Sequence, residues 1–376
     1  MSKQFRRLVP GAAAAAAVAT VALAVPAGSG AATDWSKATS AKAGGGFGAL
    51  VAEAKKEGAL NVIALPHNWA NYGVELSTFK KLYPGIKITE INPSGSSADE
   101  ITAIKQGKGR STAPDVVDVG QSFTTPDITA LFAPYKVQTW SAIPANAKDP
   151  KGLWFNDYGG YISFGCDMTV LKVCPTTWAQ LKDPQYKNDV SLNGAIGQAA
   201  AATAAVYAAA VNNGGSAANV QPGIDFFNAL KSNGNLNATD CNSAAVVEKH
   251  QCPILINWDY LNTVSAWGLP AKFKNQWKVV DPKGTAFGSY YVQAISKSAP
   301  HPAAARLWEE FLYSTQGQNI WLQGGARPVE LPALVKAGKH DKKAYAALPK
   351  VAGTPVLPTA SQSTAAGTKI AAAFPA

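Results

Sequence analysis

Segments with the pattern of strands alternate with segments of helical spacing, and this alternation limits the possible folds more than any other feature. A helix is predicted at 47–56, and Gly58 ends it before an apolar strand at 60–65. The pattern then predicts a helix at 74–83, a strand at 86–91, a helix at 98–106 and a strand at 115–119. Such alternation is typical of a parallel sheet with helices on both faces. The chain is therefore predicted to have an α/β fold.

The turn before the third helix carries a capping signal. It has the sequence Asn92-Pro93-Ser94-Gly95-Ser96-Ser97, and Glu100 is spaced for a capping box with Ser97. Ser96 and Ser97 are therefore predicted as helix caps. A helix N-terminus lined with hydroxyl groups also suits an anion, so these serines form an alternative anion site.

The same alternation continues through the rest of the chain. Strands are predicted at 189–192, 252–258, 277–280 and 290–295, and helices at 195–211, 224–231 and 303–313. We expect residues 47–160 to begin one lobe, 161–288 to form a second lobe, and 289–376 to return to the first lobe with C-terminal helices. The chain then crosses between the lobes near Tyr161 and Ser289, which suits a hinge.

The N-terminal 32 residues have the composition of an export signal. Lys3, Arg6 and Arg7 precede an apolar, Ala-rich run at 11–26, and small residues follow. Cleavage is expected after Ala24 or near residues 31–32. Residues 33–46 are polar and rich in Gly and Ala, which predicts a flexible linker. We expect an exported protein, periplasmic or extracellular, without a lipid anchor, because no Cys lies near the cleavage site.

Composition narrows the range of partners. The chain has 376 residues, 47% of them hydrophobic, which is enough for two domains. Its net charge of +10 is spread along the sequence, without a Lys/Arg cluster that contains aromatic residues. We therefore expect a monomer with no nucleic-acid partner and no membrane span in the mature chain.

Four cysteines occur as two local pairs, Cys166 with Cys174 and Cys241 with Cys252. Four cysteines allow three connectivities, and the local one is predicted here. Export permits disulfides, and the spacings of the cysteines match no zinc pattern. The sequence therefore predicts two disulfides and no metal.

Catalytic motifs are missing. The sequence has no G-x-S-x-G, and 107–112 lacks the spacing of a phosphate loop. The four His residues are scattered. We predict no enzyme activity and no cofactor. The alternative from another class is a secreted α/β hydrolase or lyase, for which Asp118 and Asp259 are the nearest candidate residues.

Aromatic residues follow or open several predicted strands. Trp69 and Tyr72 follow the first strand, Trp258 and Tyr260 lie at the end of the strand at 252–258, and Tyr290 and Tyr291 open a later strand. Ligands of open α/β sheets bind beyond the carboxyl ends of the strands. Aromatic rings there offer stacking and cation–π contacts.

Four segments carry a family resemblance. They are NWANY at 68–72, PDVVD at 114–118, PTTWAQLKDPQYK at 175–187 and APHPAAARLW at 299–308. In this order they resemble the extracellular solute-binding proteins of ABC importers, in the branch that holds polyamine-type and iron-type receptors. The resemblance implies a type II periplasmic-binding-protein fold. Two α/β lobes would close on a ligand by a hinge and deliver it to the permease subunits of an ABC transporter.

The resemblance also suggests the ligand. Trp69, Tyr72 and Trp258 match aromatic positions of polyamine receptors, which favours a polyamine-like organic cation such as spermidine or putrescine. Two positions where those receptors carry Asp are occupied here by Asn193 and Tyr291. The alternatives are ferric iron, held by Tyr290 and Tyr291, or a phosphonate at Ser96 and Ser97. The complete predicted ligand-binding set is Trp69, Tyr72, Asp118, Ser122, Asn193, Trp258, Asp259, Tyr260, Tyr290 and Tyr291.

Overall fold

Two α/β lobes are built around sheets that share one long strand. The computed structural model describes residues 33–263, 268–270, 273, 275–351 and 354–375. The predicted export signal at 1–32 lies outside the described residues. The strands are β1 (Ala59–Ile63), β2 (Lys87–Ile91), β3 (Val116–Gly120), β4 (Phe132–Ala133), β5 (Phe155–Asp167), β6 (Val190–Leu192), β7 (Leu236–Asp240), β8 (Ile254–Trp258), β9 (Trp277–Val280), β10 (Gly288–Ser296) and β11 (Arg327–Pro328).

Helices cover both sheets. Those among the described residues are α1 (Phe47–Glu57), α2 (Tyr72–Leu82), α3 (Ser97–Gly107), α4 (Pro126–Thr129), α5 (Ala200–Asn212), α6 (Gln221–Ser232), α7 (Ala244–Glu248), α8 (Pro302–Leu312), α9 (Thr315–Gln323), α10 (Leu331–Lys336), α11 (Lys342–Ala347) and α12 (Ala360–Ala373). The helix predicted at 195–211 begins only at Ala200, because the turn before it contains Gly194 and Gly197 with positive φ. None of the helices in the described ranges is long and apolar enough to cross a membrane.

The first lobe contains the strands nearest the N-terminus. Strand β1 pairs in parallel with β2, and β10 runs antiparallel to both β3 and β5. The buried Asp115 joins β1 to β3, since its Oδ2 accepts a hydrogen bond from Asn61 N at 2.7 Å and its own N–H bonds Asn61 O at 2.9 Å. The carboxyl ends of β1, β2 and β3 therefore meet at one edge of the lobe.

The second lobe is built on β6. This strand pairs in parallel with β7 and β8, while β8 and β9 run antiparallel to the end of β5. The Ala-rich α5 packs on this sheet and on α6, and most of its side chains are buried. Small side chains allow this close packing, and Gly223 of α6 lies against the backbone of α5.

Strand β5 belongs to both sheets. Its residues up to Tyr161 pair with β10, and its residues from Ile162 onward pair with β8 and β9. A strand that continues from one sheet into the next is a suitable hinge element. The lobe boundaries after residues 160 and 288 stay a prediction.

Residues 34–46 are not the flexible linker that the sequence predicts. Trp35, Ala38 and Ala41 are buried in the core of the first lobe. The Arg306 guanidinium of α8 donates hydrogen bonds to the carbonyl groups of Ala38 at 2.8 Å and Ser36 at 3.2 Å. One buried Trp therefore anchors a segment whose small-residue composition suggested disorder.

The cysteines form the local pairs that the sequence predicts. Cys166 is bonded to Cys174, with their Cα atoms 5.8 Å apart, and Cys241 is bonded to Cys252, with their Cα atoms 6.2 Å apart. Both disulfides lie in the second lobe. The Cys241–Cys252 pair belongs to a small core of its own, with Leu255 and Trp277.

Candidate functional site

A cavity of about 470 Å³ lies between the two lobes. Lobe 1 contributes the loops after β1 and β2, the N-terminus of α3 and the end of β3. Lobe 2 contributes the loops after β6 and β7 and the N-terminus of α5. A volume in this range is typical of small-molecule sites. The residues that line the cavity include Ala64, Trp69, Asn92, Ser96, Ser97, Asp99, Glu100, Asp118, Asn193, Gly194, Gln198, Ala199, Ala200, Ala201, Asp240, Asn242 and Tyr291.

Two strands end in left-handed residues at the cavity wall. Ala64 follows β1 with φ 55°, and Asn92 follows β2 with φ 38°. A non-glycine residue in this conformation costs about 1–3 kcal/mol, and such strain collects at ligand sites. The neighbouring turn contains two more such residues, Ala70 and Asn71, directly after Trp69. The backbone of lobe 1 is therefore bent sharply where it meets the cavity.

Asp118 of β3 is the acidic group of the lobe 1 wall. Its side chain is buried, its Oδ2 accepts a hydrogen bond from Tyr158 OH at 2.8 Å, and Asp157 and Tyr72 are its other hydrogen-bonding neighbours. Burial raises the pKa of this carboxyl above its ordinary value, while hydrogen bonds from neighbouring side chains oppose that shift. Asp118 therefore joins the cavity wall to a buried network of polar side chains.

A second carboxyl lies behind Asp118, away from the cavity. Asp157 of β5 is fully buried, and its Oδ2 accepts a hydrogen bond from Gln293 Nε2 at 3.0 Å. The same Gln293 nitrogen donates to Tyr72 OH at 2.9 Å. Burial and the nearby Asp118 charge raise the pKa of Asp157 well above its ordinary value. If Asp157 holds the one proton of the pair, the Asp118 carboxylate keeps its negative charge at the cavity wall.

Aromatic rings form the rest of the lobe 1 wall. Trp69 and Tyr291 both line the cavity, with ring centroids 5.8 Å apart and planes at 83°. Tyr291 stacks on Tyr158 at 5.5 Å and accepts a long hydrogen bond from Trp258 Nε1 at 3.4 Å. These contacts fix the Tyr291 ring, because Tyr158 and Trp258 are themselves buried. The wall therefore presents a rigid aromatic surface beside Asp118.

The lobe 2 wall offers hydrogen-bond donors. Asn193 follows β6 with only 6% of its surface exposed, and its Nδ2, which has no protein partner, is enclosed by the protein. Helix α5 begins beside it, at Ala200, without a side-chain cap. The first N–H groups of a helix lack partners within the helix, and the macrodipole makes that end positive. Ala200 and Ala201 line the cavity at this end.

The N-terminus of α3 faces the same cavity but is already occupied. Ser96 and Asp99 form the capping box, with Asp99 Oδ2 accepting from Ser96 N at 2.8 Å. The box predicted for Ser97 with Glu100 is therefore wrong by one residue. Glu100 instead accepts a hydrogen bond from Asp118 N at 2.8 Å, and Ser97 Oγ accepts one from Gly120 N at 3.1 Å. Both serines line the cavity, yet their hydroxyl groups serve the fold.

The charged groups on the cavity wall are all acidic. Asp99, Glu100, Asp118 and Asp240 line it, and its described lining contains no Lys, Arg or His. Burial raises the pKa of Glu100 well above its ordinary value. Asp240 is exposed, and its oxygens accept hydrogen bonds from Gly194 N and Asn242 Nδ2, each at 2.8 Å. Of these four groups, Asp118 and Glu100 are buried.

Six residues of the predicted ligand-binding set do not line this cavity. Tyr72, Trp258 and Tyr260 are buried behind the wall. Asp259 forms an ion pair with Arg327 at 2.7 Å and accepts hydrogen bonds from Tyr161 N and Tyr260 N. These four residues support the hinge and the aromatic core. The six residues outside the cavity are Tyr72, Ser122, Trp258, Asp259, Tyr260 and Tyr290.

Tyr290 and Ser122 line other parts of the molecule. The side chain of Tyr290 lies on the opposite face of β10 from that of Tyr291, because neighbouring side chains of a strand alternate between faces. It lines two smaller cavities of about 20 and 190 Å³. Ser122 lies against α12, where a Cβ at Gly367 would meet it. Helix α12 also reaches Gly197 of lobe 2, through Ala371.

The described residues do not form a metal centre of the usual kind. They contain no group of three His, Cys, Asp or Glu that could hold a metal ion. Burial raises the pKa of the Tyr291 phenol well above its ordinary value and raises that of Tyr290 as well. A phenolate ligand is thus disfavoured at both positions.

Comparison with known proteins supports the class of the protein. A family model described as bacterial extracellular solute-binding protein matches residues 111–351. No curated protein matches the chain. The fold confirms the type II periplasmic-binding-protein class that the sequence predicts, because solved structures of that class align with most of the chain.

Three of these structures illustrate the likeness. AgtB from A. tumefacien R10, in complex with agropinic acid, has a TM-score of 0.63 and 15% identity, covering 84% of this chain and 96% of AgtB. Iron-bound HitA from Pseudomonas aeruginosa has a TM-score of 0.57 and 16% identity, covering 84% of this chain and 98% of HitA. AfuA from Actinobacillus pleuropneumoniae, with fructose-6-phosphate bound, has a TM-score of 0.57 and 19% identity, covering 73% of this chain and 86% of AfuA. At such identities the likeness shows the fold alone.

Proposed function

This chain belongs to the bacterial extracellular solute-binding proteins, and from that premise we propose that its cleft captures a small organic amine for an ABC importer. Polyamines such as putrescine and spermidine are the first candidates, because the aromatic motif at Trp69 and Tyr72 resembles that of polyamine receptors. The exported monomer would close on its ligand and deliver it to permease subunits in the membrane. This role requires binding and no catalysis.

One observation carries the proposal, the acidic lining of the cavity. Its charged lining groups are all carboxyl groups, and Asp118 among them is buried. An ammonium group would offset a buried negative charge at Asp118, which otherwise costs several kcal/mol. A neutral or anionic ligand group would leave the charge uncompensated.

The aromatic wall supports the same ligand class. Trp69 is half-buried, and Tyr291 is held at 5.8 Å from it. The faces of Trp and Tyr rings attract cations by about 0.5–2 kcal/mol when the pair is shielded from water. A carboxylate flanked by two such rings is a suitable site for one ammonium group.

The alternatives have weaker support. Ferric iron would need phenolates, and burial disfavours that form for both Tyr290 and Tyr291. A phosphonate at Ser96 and Ser97 would compete with the Asp99 carboxylate that already caps α3. Hydrolysis at Asp118 would need a positioned base, and its carboxyl neighbour is the buried Asp157, behind the cavity wall.

Isothermal titration tests the proposal. We expect n-butylamine, putrescine or spermidine to bind, and butyrate to bind no better than these amines. Asp118→Asn keeps the shape and the acceptor for Tyr158, and we expect it to weaken amine binding about thirtyfold or more. The matched control is Asp127→Asn, an exposed carboxylate of lobe 1 outside the cavity.

A second variant keeps the test decisive if Asp118→Asn folds poorly. Trp69→Ala removes a half-buried ring from the cavity wall, and we expect it to weaken amine binding about threefold to thirtyfold. Circular dichroism and a urea titration report whether each variant is folded. Binding of amines that is unchanged in both folded variants would overturn the proposed site.

A further inference from the structure

We propose that the C-terminal helix α12 is a clasp, an element that contacts both lobes beside the cavity and opposes their separation. The inference goes beyond the proposed function, because it concerns the contact between the lobes and does not depend on the ligand. Helix α12 lies beyond residue 351, where the match to the solute-binding family ends. The clasp is therefore built from a part of the chain outside the matched segment.

The segment before α12 is attached where the chain crosses between the lobes. Val356 N donates a hydrogen bond to the Ala286 carbonyl at 2.8 Å, and the Val356 carbonyl accepts one from Gly288 N at 3.0 Å. Gly288 is the first residue of β10. Thr359 then forms a capping box with Gln362 at the N-terminus of α12. The start of the helix is thereby fixed next to the hinge strands.

Lobe 1 contacts the first half of α12. Ala360 packs against the part of the lobe 1 core that contains Val117 and Val119. Two turns further along the helix, Gly367 lies against the turn that follows β3, and a Cβ added to Gly367 would be 2.6 Å from the Cβ atom of Ser122. The missing side chain allows this close approach. The helix is therefore attached to lobe 1 over two turns.

Lobe 2 contacts the end of the same helix. Ala371 lies against the turn that precedes α5, and a Cβ added to Gly197 would be 2.9 Å from the Cα atom of Ala371. Gly197 has φ 81°, and its N–H donates to Thr203 Oγ1 at 3.1 Å, which ties the turn to α5. One helix of 14 residues thus contacts both lobes. Because a helix is stiff, both contacts cannot persist when the lobes move apart about the hinge.

Small side chains let α12 lie this close to both lobes. Ser363, Ala366 and Ile370 are its buried residues, at the spacing of one helix face. Ile370 is fully buried in the main hydrophobic core, which also contains the alanines of α5. Ala372 lies on the opposite face and is exposed. One face of the helix therefore carries the contacts to both lobes.

The lobes also touch each other next to α12. A Cβ added to Gly120 at the end of β3 would collide with the Ala200 side chain at the start of α5. The space left between β3, α5, the start of β10 and α12 is a cavity of about 20 Å³, lined by Ser363 and Gly367 of α12. Such a volume holds about one water molecule. Helix α12 therefore fills the gap between the lobes on this side.

The test measures the distance between the lobes in the full chain, without a ligand. Lys108 in lobe 1 and Lys249 in lobe 2 are exposed, so Lys108→Cys and Lys249→Cys provide sites for spin labels. The four native cysteines are held in disulfides and do not compete for the label. Double electron–electron resonance then gives the distribution of distances between the two labels.

Ala371→Leu is the main variant. It places a larger side chain in the contact with Gly197, and Leu is nearly as good a helix former as Ala. Overpacking of this contact should raise the ratio of the separated to the closed arrangement about fivefold or more, which appears as a population at longer distances. Ala372→Leu makes the same substitution on the exposed face. It is the matched control and should leave the distribution unchanged.

A second variant keeps the test decisive if Ala371→Leu folds poorly. Ile370→Ala removes most of a fully buried side chain of α12, so it should also increase the population at longer distances. Circular dichroism and a urea titration report whether each variant is folded. Folded variants that both give the distribution of the original protein would overturn the clasp. An equal change in Ala372→Leu would also overturn it, because the contact with Gly197 would not be the cause. Neither result bears on amine binding at Asp118, which has its own test.

Discussion

Glu75 of α2 links the stability of the protein to pH, and the size of this link follows from its surroundings. The side chain is fully buried, and neither carboxyl oxygen has a hydrogen-bond partner. Burial raises its pKa well above the ordinary value, so the folded protein keeps this proton at pH values where the unfolded chain has already released it. Glu75 thus contributes stability below its unfolded pKa, and this contribution is lost as pH rises through its folded pKa.

The size of the effect is given by the slope of the free energy of unfolding against pH. Between the unfolded and the folded pKa, one such group lowers the free energy of unfolding by about 1.4 kcal/mol for each pH unit. Glu75→Gln keeps the size of the side chain and removes the titration. As pH rises above the unfolded pKa, we therefore expect the stability of Glu75→Gln relative to the original protein to increase by about 1.4 kcal/mol per unit until the folded pKa is reached.

Urea denaturation followed by circular dichroism at several pH values measures this difference. Other buried carboxyl groups, such as Glu309 and Asp157, also titrate, but they are present in both proteins and cancel. Glu248→Gln, which replaces an exposed carboxylate at the end of α7, is the control for the loss of one carboxyl group. A flat difference for Glu75→Gln would refute the reasoning, because it would mean that the folded protein does not hold the proton.

Three further substitutions test how the fold supports the cleft. Replacing Cys241 and Cys252 by Ser should lower the free energy of unfolding by about 2–3 kcal/mol, since the disulfide restricts the unfolded chain; an unchanged urea midpoint would contradict this. Arg327→Met should cost about 3–5 kcal/mol, because it leaves the buried Asp259 unpaired, and adding Asp259→Asn should restore much of the loss in a double-mutant cycle. Gly223→Ala should destabilise lobe 2 by about 1–3 kcal/mol, because its Cβ would collide with a carbonyl oxygen of α5; a higher melting temperature would show that α6 can move away.

The sequence predicts the strands whose side chains are mostly apolar. β1, β3 and β8 are such runs, and their burial explains why the pattern is visible without the structure. The helices between them are visible from their spacing. Their caps are harder to predict. The capping box of α3 is formed by Ser96 and Asp99, one residue before the predicted pair of Ser97 and Glu100. Both pairs have residue types that can form such a box.

Strand β5 could be predicted only as a crossing between the lobes near Tyr161, although both sheets depend on its full length. Its sequence, FNDYGGYISFGCD, contains Gly, Asn and Asp, which are rare in strands. The structure gives the reason for these glycines: a Cβ at Gly160 would collide with Asp259 and Tyr260, and one at Gly165 with Trp277. Close packing of bulky neighbours therefore selects residues that weaken the strand signal.

The site could be predicted in part. Trp69, Asp118, Asn193 and Tyr291 were named from strand ends or family resemblance, and they line one cavity. Asp157 lies in the strand that the pattern missed, so its place behind Asp118 had no signal in the sequence. The free N-terminus of α5 was hidden too, because whether a helix end is capped depends on contacts that only the folded chain makes.

The central claim is that the cleft holds a small molecule through its ammonium group at Asp118. Native mass spectrometry tests it most directly, with the original protein and Asp118→Asn incubated in the same small-molecule extract of the cells that produce them. The account predicts one bound molecule per chain of the original protein, identified after release as an amine, and little or none on folded Asp118→Asn. A bound molecule without an amine, or equal retention by both proteins, would contradict it.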